Sequence, residues 1–350
     1  MRVKKGQRMI DRQARTRLRT SAPAALIAAA ALVATGPLLA GCNAGRTVTM
    51  KKQATSQAAD DAADQATAHV RLGDAESALA EFERAIELNP LMTRAYIGAG
   101  DQYMALNDAE TAEVRYTEAV RLDPENPRIH FKRGQALQVL GRIGEAIRAY
   151  LTSLELDPTD GLANMNVSVA YMQAEEPLLA RPFAERAVFV EPNNAAARIN
   201  LGSIYAAMDE HRRAVDEYQQ AAELVDPISP ELLVNLAESL RALGEDAQVV
   251  NVLDQLLRTN ESALAWERRG AALFRIGDFE GALTSFDRSL ELDPEHYPAL
   301  NGKGVHNLNE FIRSDNTDTT ALQQALDFFR RSLQIEHRQP RVRELLSRFS

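Results

Sequence analysis

The apolar positions of Tyr96–Pro124 (YIGAGDQYMALNDAETAEVRYTEAVRLDP) fall at helical spacing in two short runs, broken at Leu106–Asp108 and stopped at Asp123–Pro124. This predicts two amphipathic helices joined by a tight turn. A shift of 34 residues along the chain restores the same skeleton. Gly100 recurs as Gly134, Gly202, Gly270 and Gly304; Ala112 lines up with Ala78, Ala146, Ala180, Ala214 and Ala282; Pro124 lines up with Pro90, Pro158, Pro192 and Pro294. A fixed period of this kind marks stacked helical hairpins, each burying its apolar face on the next. The expected fold class is therefore all-α, a solenoid of antiparallel helix pairs.

The phase divides the chain into repeats near 59–92, 93–126, 127–160, 161–194, 195–228, 230–262, 263–296 and 297–339, followed by an amphipathic segment at 340–350 suited to cap the last exposed face. Repeat 4 departs from the pattern with Ser168 in place of Gly, Ala184 in place of an aromatic, and two prolines. Pro177 suits a first helical turn, whereas Pro182 is expected to shorten or kink the second helix. Repeat 6 has Val249 and Leu253 at its small and aromatic positions and no closing Pro. Repeat 8 carries about nine extra residues around Ser314–Thr320 (SDNTDTT), expected as a tolerated surface loop.

Numbered from the first residue of each repeat, position 8 is Gly or small throughout, and in most repeats 20 and 27 are small, 4, 11 and 24 are bulky, and 32 is Pro. This pattern resembles the tetratricopeptide repeat (TPR) family over about 280 residues, from Ala59 to near Gln339. The resemblance implies a right-handed superhelix of about eight repeats whose first helices line a concave groove. It further implies that positions 2, 5, 6, 9, 12 and 13 face that groove. Position 6 reads Lys132, Asn166, Asn200, Asn235 and Arg268 in repeats 3 to 7, similar to the asparagine ladder with which superhelical arrays hold an extended peptide. An amide offers a donor and an acceptor, matching a peptide unit. Beside it, position 5 is apolar as Phe131, Met165, Ile199 and Val234, and Met172 adds an adaptable surface. Repeat 2 has Gly98 at position 6 and reads as scaffold.

Residues 1–41 hold eight Lys/Arg and one Asp, a net +7, so the total of −9 leaves −16 on residues 42–350. That acidity excludes a general phosphate-backbone binder, and hence nucleic acid as a partner. Basic residues 1–20, the apolar run Pro23–Ala40 and the sequence Leu39–Ala40–Gly41–Cys42 describe an export signal. The last four residues resemble the lipobox of bacterial lipoproteins, which implies cleavage before Cys42, its acylation with palmitate-type chains, and a membrane anchor. Asn43 in place of Asp favours the outer membrane, at its periplasmic face. Asn43 to Gln57 reads as a flexible tether, with Asp60, Asp61 and Asp64 opening the first helix.

Cys42 is the only cysteine, so an intrachain disulfide and paired-Cys metal sites are excluded. The six histidines, His69, His130, His211, His296, His306 and His337, have no metal-ligand spacing. No phosphate loop, nucleophile elbow or acid–base motif occurs. The chain therefore reads as a non-enzyme with no cofactor, no metal and no small-molecule substrate. The expected function is a membrane-anchored adaptor binding protein segments in its groove. One alternative is a structural assembly factor of the pilus-secretin or envelope-complex type, using its convex face or C-terminal loop. The other is an accessory subunit of an envelope enzyme.

Overall fold

The structure, a computed structural model, describes residues 41–350, with side chains from residue 52 onward. All of the expected signal peptide except Gly41 lies outside the described residues. Contacts divide the chain into Met1–Gln53 and Ala54–Ser350, and nearly all of the helical array lies in the second unit. Among the described residues there are seventeen helices and no strand. The first pair is α1 (Gly41–Arg71) with α2 (Ala75–Leu88), followed by α3 (Thr93–Ala105) with α4 (Ala109–Leu122). Next come α5 (Pro127–Val139) with α6 (Ile143–Leu156), and α7 (Gly161–Gln173) with α8 (Pro177–Val190). Then follow α9 (Ala195–Ala207) with α10 (His211–Glu223), and α11 (Pro230–Ala242) with α12 (Asp246–Leu257). The series ends with α13 (Ala263–Ile276) and α14 (Phe279–Leu292), α15 (Tyr297–Arg313) and α16 (Thr319–Ile335), and the single helix α17 (Pro340–Phe349).

A shared turn joins most pairs. Position 15 has a left-handed backbone in repeats 1 to 7, as Gly73, Asn107, Gly141, Glu175, Asp209, Gly244 and Gly277. The next amide then donates to the carbonyl at position 11, for example Asp108 to Tyr103 at 2.8 Å and Arg142 to Leu137 at 2.9 Å. This is the six-to-one bond that closes a helix through a left-handed residue. Carboxylates such as Asp74, Asp108 and Asp278 then cap the second helix by accepting from the backbone three residues on.

Packing follows the small positions. Tyr116, Tyr150, Tyr218, Phe286 and Phe329 lie against Gly100, Gly134, Gly202, Gly270 and Gly304 of their own repeats, where a β-carbon would sit 2.5 to 2.7 Å from the ring. Each such ring is almost fully buried, a contribution of about 2–3 kcal/mol apiece. Position 4 joins successive repeats: the Tyr96 hydroxyl, Asn164 Nδ2 and Arg198 Nε donate to the carbonyls of Pro90, Pro158 and Pro192. His130 Nε2 lies 2.8 Å from the Pro124 carbonyl, which makes that nitrogen the donor. The helix-ending Pro thus also offers the carbonyl that receives the next repeat.

Three local expectations are corrected. Residues 43–57 are not an irregular tether but part of α1, a 31-residue helix, so Asp60, Asp61 and Asp64 lie within it rather than at its start. The stretch after Gly45 contains no Pro or Gly and is rich in Lys, Gln and Ala, which favour helix. Of the two effects expected of Pro182, shortening does not occur, since α8 keeps the 14 residues of α4 and α6 with Pro182 inside it. The insertion in repeat 8 is not a loop: α15 and α16 each span 17 residues, leaving only Ser314–Asp318 between them. The added turn of α15 carries Phe311, whose ring meets Phe349 of α17 edge-on at 6.4 Å. Arg313 stacks over Phe279 of α14 at 4.1 Å.

Candidate functional site

Positions 6, 9 and 12 of successive first helices converge on open clefts. One, of about 460 Å³, lies among α3, α5 and α7 and is lined by Asp101, Met104, Tyr116, Lys132, Gln135, Gln138, Val139, Tyr150 and Asn166. A second of similar size extends toward α1, with Thr67, Val70, Arg94, Ile97 and Arg128 in its wall. The same face therefore runs as a groove from repeat 1 to repeat 4.

The floor of the first cleft is hydroxyl and amide. Asp101 Oδ1 accepts from Lys132 Nζ at 2.6 Å and from the Tyr116 hydroxyl at 2.6 Å. The Tyr150 hydroxyl donates to Gln138 Oε1 at 2.8 Å, and Gln138 Nε2 donates to Gln173 Oε1 at 2.9 Å. Burial pushes the Tyr116 and Tyr150 phenols well above their ordinary range, and the Asp101 charge pushes Tyr116 further, so both stay protonated as donors. Lys132 is neutralised, and what remains open is uncharged. Gln135 makes no hydrogen bond, and Asn166 spends only its Nδ2, on the Leu162 carbonyl at 2.9 Å.

The position-6 ladder is held from behind by the preceding repeat. Asn200 Nδ2 donates to Ser168 Oγ at 2.6 Å, and Arg268 pairs with Glu238 at 2.5 Å, as Lys132 does with Asp101. Asn235 is half-buried and makes no hydrogen bond. The five residues occupy equivalent places on α5, α7, α9, α11 and α13, yet their free valences differ. Asn166 and Asn235 are open to a ligand; Lys132, Asn200 and Arg268 are already engaged.

The apolar row beside the ladder divides as well. Phe131 is 8% exposed and packs on Tyr150 with ring centroids 5.6 Å apart, so it belongs to the core rather than the groove lining. A side chain that large reaches past the groove edge into the hairpin. Met165, Ile199 and Val234 are half-buried and keep a surface, Ile199 and Val234 against the central core cluster. Among the described residues no group of His, Cys, Asp and Glu could hold a metal ion. No described helix is long and apolar enough to cross a membrane. Cys42 lies in the first turn of α1.

Models of the tetratricopeptide repeat match residues 63–114, 127–160, 195–224 and 263–296, and a TPR repeat model matches residues 100–141. The chain carries tetratricopeptide repeats. Protein FlbA of Caulobacter vibrioides is 31% identical over 115 residues, which is 33% of this chain and 18% of that protein. The heat-shock cognate co-chaperone sgt12 of Aspergillus fumigatus is 28% identical over 127 residues, 35% of this chain and 33% of that protein. The chain thus spans a third or less of the length of these relatives. Among solved structures, pilF of Pseudomonas aeruginosa superposes with a TM-score of 0.54 at 18% identity, covering 62% of this chain and 99% of that one. PilW, a widely conserved type IV pilus biogenesis factor, superposes at 0.52 and 20% identity, covering 58% and 94%. At such identities the likeness is one of TPR fold alone.

The TPR frame also exposes what residue-by-residue reading passed over. Where position 24 is Phe, as in Phe82 and Phe286, position 6 of the next repeat is Gly98 or Gly302, and the ring rests on bare backbone. Where position 24 is Tyr, as in Tyr116, Tyr150 and Tyr218, the following position 6 is Lys132, Asn166 or Asn235. The hydroxyl needs polar company, which Asp101, Gln138 and Ser203 supply. This Phe–Gly against Tyr–polar pairing was available in the sequence and marks the junctions of repeats 2 with 3, 3 with 4 and 5 with 6 as polar places on this face.

Proposed function

We propose that this protein is a lipid-anchored TPR adaptor that binds an extended protein segment along the groove of repeats 2 to 6. The observation that carries it is the cleft of α3, α5 and α7, where the charge is paired off and Gln135 and Asn166 keep open amide valences. Such a surface suits a peptide backbone, which alternates donors and acceptors and bears no charge. The helical fold and TPR matches support a protein-interaction scaffold. The basic start, apolar run and Leu39–Cys42 sequence support acylation of Cys42 and placement in a bacterial envelope, with the outer membrane favoured by Asn43.

The test is crosslinking in native membranes followed by mass spectrometry, with wild-type protein and the Asn166→Ala, Asn200→Ala, Asn235→Ala triple variant. Loss of the crosslinked partner with unchanged helicity is expected; equal capture by the variant overturns the groove reading. Cys42→Ser protein should leave the membrane fraction, and wild-type retention would refute the anchor.

A second reading is supported by α8. Its outer side leaves Leu178 66% and Phe189 77% exposed, with Pro182 between them. This surface suits an assembly factor that docks through its second helices, and a partner lost on Leu178→Ser with Phe189→Ser but kept by the triple variant would select it.

A further inference from the structure

The groove has a chemical polarity along its length. The first helix of repeat 4, α7, contains no charged residue, and α9 contains only Arg198, which is held by Glu217 at 2.7 Å. Met165, Met172 and Ile199 give this middle section an apolar surface, with Asn166, Asn200 and Ser203 as its polar groups. A charged side chain lying there would lose water without gaining a counter-charge.

Repeat 7 breaks the pattern. Position 5, apolar in repeats 2 to 6, becomes Glu267, which makes neither a hydrogen bond nor an ion pair. Its basic neighbours are engaged elsewhere. Arg268 and Arg241 share Glu238, at 2.5 and 3.2 Å, and Arg275 pairs with Asp246 at 2.7 Å. Glu267 is half-buried, and burial pushes its carboxyl above the usual carboxylate range against the pull of Arg268, Arg275 and Arg241. An anionic ligand would have to displace Glu238 or Asp246 from an existing pair. Glu267 is the one carboxylate of this cluster with no guanidinium in contact, so a cation can pair with it without displacing an existing partner. The −16 carried by residues 42–350 also draws basic segments toward the array.

Resting on the groove reading above, we infer that the bound segment is a protein chain with an uncharged, largely apolar stretch against α7 and α9 and a Lys or Arg beyond it that pairs with Glu267. Glu267 is then the specificity-determining residue of the groove, and Asn235, one turn before Glu238 on α11, steadies the backbone leading to it.

The test uses the full chain as bait for a random peptide library displayed on phage, and synthetic copies of the enriched sequences for titration. Enriched peptides should show an uncharged run with a basic residue to one side. Glu267→Gln should weaken them about tenfold, the scale of one charge-assisted pair, and should not weaken copies whose basic residue is replaced by Ala. Glu267→Arg should shift enrichment to acidic residues at that place. Peptides without a basic residue, or equal affinity for Glu267→Gln, overturn the inference while leaving the groove reading intact. Binding that survives both Met165→Glu and Met172→Glu, each checked for helicity, overturns the groove reading itself, as does a selection that enriches nothing.

Discussion

The Phe82 ring of repeat 1 lies over Gly98 of repeat 2, in the space a β-carbon would occupy. The ring is enclosed by its neighbours and cannot swing aside, so Gly98→Ala should cost about 1–3 kcal/mol through overpacking. Gly144, near the start of α6 with nothing within 4 Å, is the control. Gly144→Ala should be neutral or stabilise by up to about 1 kcal/mol. Denaturant midpoints of the two variants check both signs.

Glu175 adopts φ 61° at the turn position where Gly141 and Gly244 sit in other repeats. A left-handed backbone costs an ordinary residue about 1–2 kcal/mol, and the extra chain entropy of Gly recovers only part of that gain. Glu175→Gly should therefore raise stability by about 0.5–1 kcal/mol, read as a higher unfolding temperature. Gly141→Ala should lower it by about 1 kcal/mol.

Asp101 is shared by the Lys132 ammonium and the Tyr116 hydroxyl. Asp101→Ala leaves both without a partner and should cost about 1–3 kcal/mol. Lys132→Met removes the charge and should cost less. Asp101 is 31% and Lys132 17% exposed, so solvent screening limits their coupling to about 1 kcal/mol in a double-mutant cycle.

Glu267 has a raised carboxyl in the folded state, with burial as the main cause. A raised value means that the folded state holds the proton more tightly than the unfolded one. Stability from this group is thus present below the ordinary value of 4.5 and is lost as pH rises through the folded value. Glu267→Gln should be more stable than wild type at pH 7, and the difference should vanish below the ordinary value. Thermal unfolding of the pair across that pH range measures it.

The repeat architecture was legible because each framework residue has one steric task repeated many times. Gly100, Tyr116 and Pro124 say the same thing wherever they recur. The groove was legible only in part. Position 6 located the right face, but the type of residue did not reveal which side chains were already spent: Asn200 on Ser168, Lys132 on Asp101, Arg268 on Glu238. Those pairings cross between repeats, and a period read along the chain does not show them. Phe131 misled for a related reason, since an apolar residue at position 5 fits both a groove wall and a core, and its size decides. The extra residues of repeat 8 misled because SDNTDTT has turn composition, whereas the length they add is taken up by helices on either side.

Repeat 8 sets a rule for how this array can grow. Its helices exceed those of a standard unit by about a turn, and that surplus carries Phe311, the seat of Phe349 in α17. A standard 34-residue unit placed after repeat 8 would leave Phe311 without its cover. Gain or loss of a unit upstream of Tyr297 leaves that contact intact, whereas a unit placed between repeat 8 and α17 breaks it. Relatives with longer or shorter arrays should differ in their interior units while keeping the elongated final hairpin and its closing helix as one inherited piece.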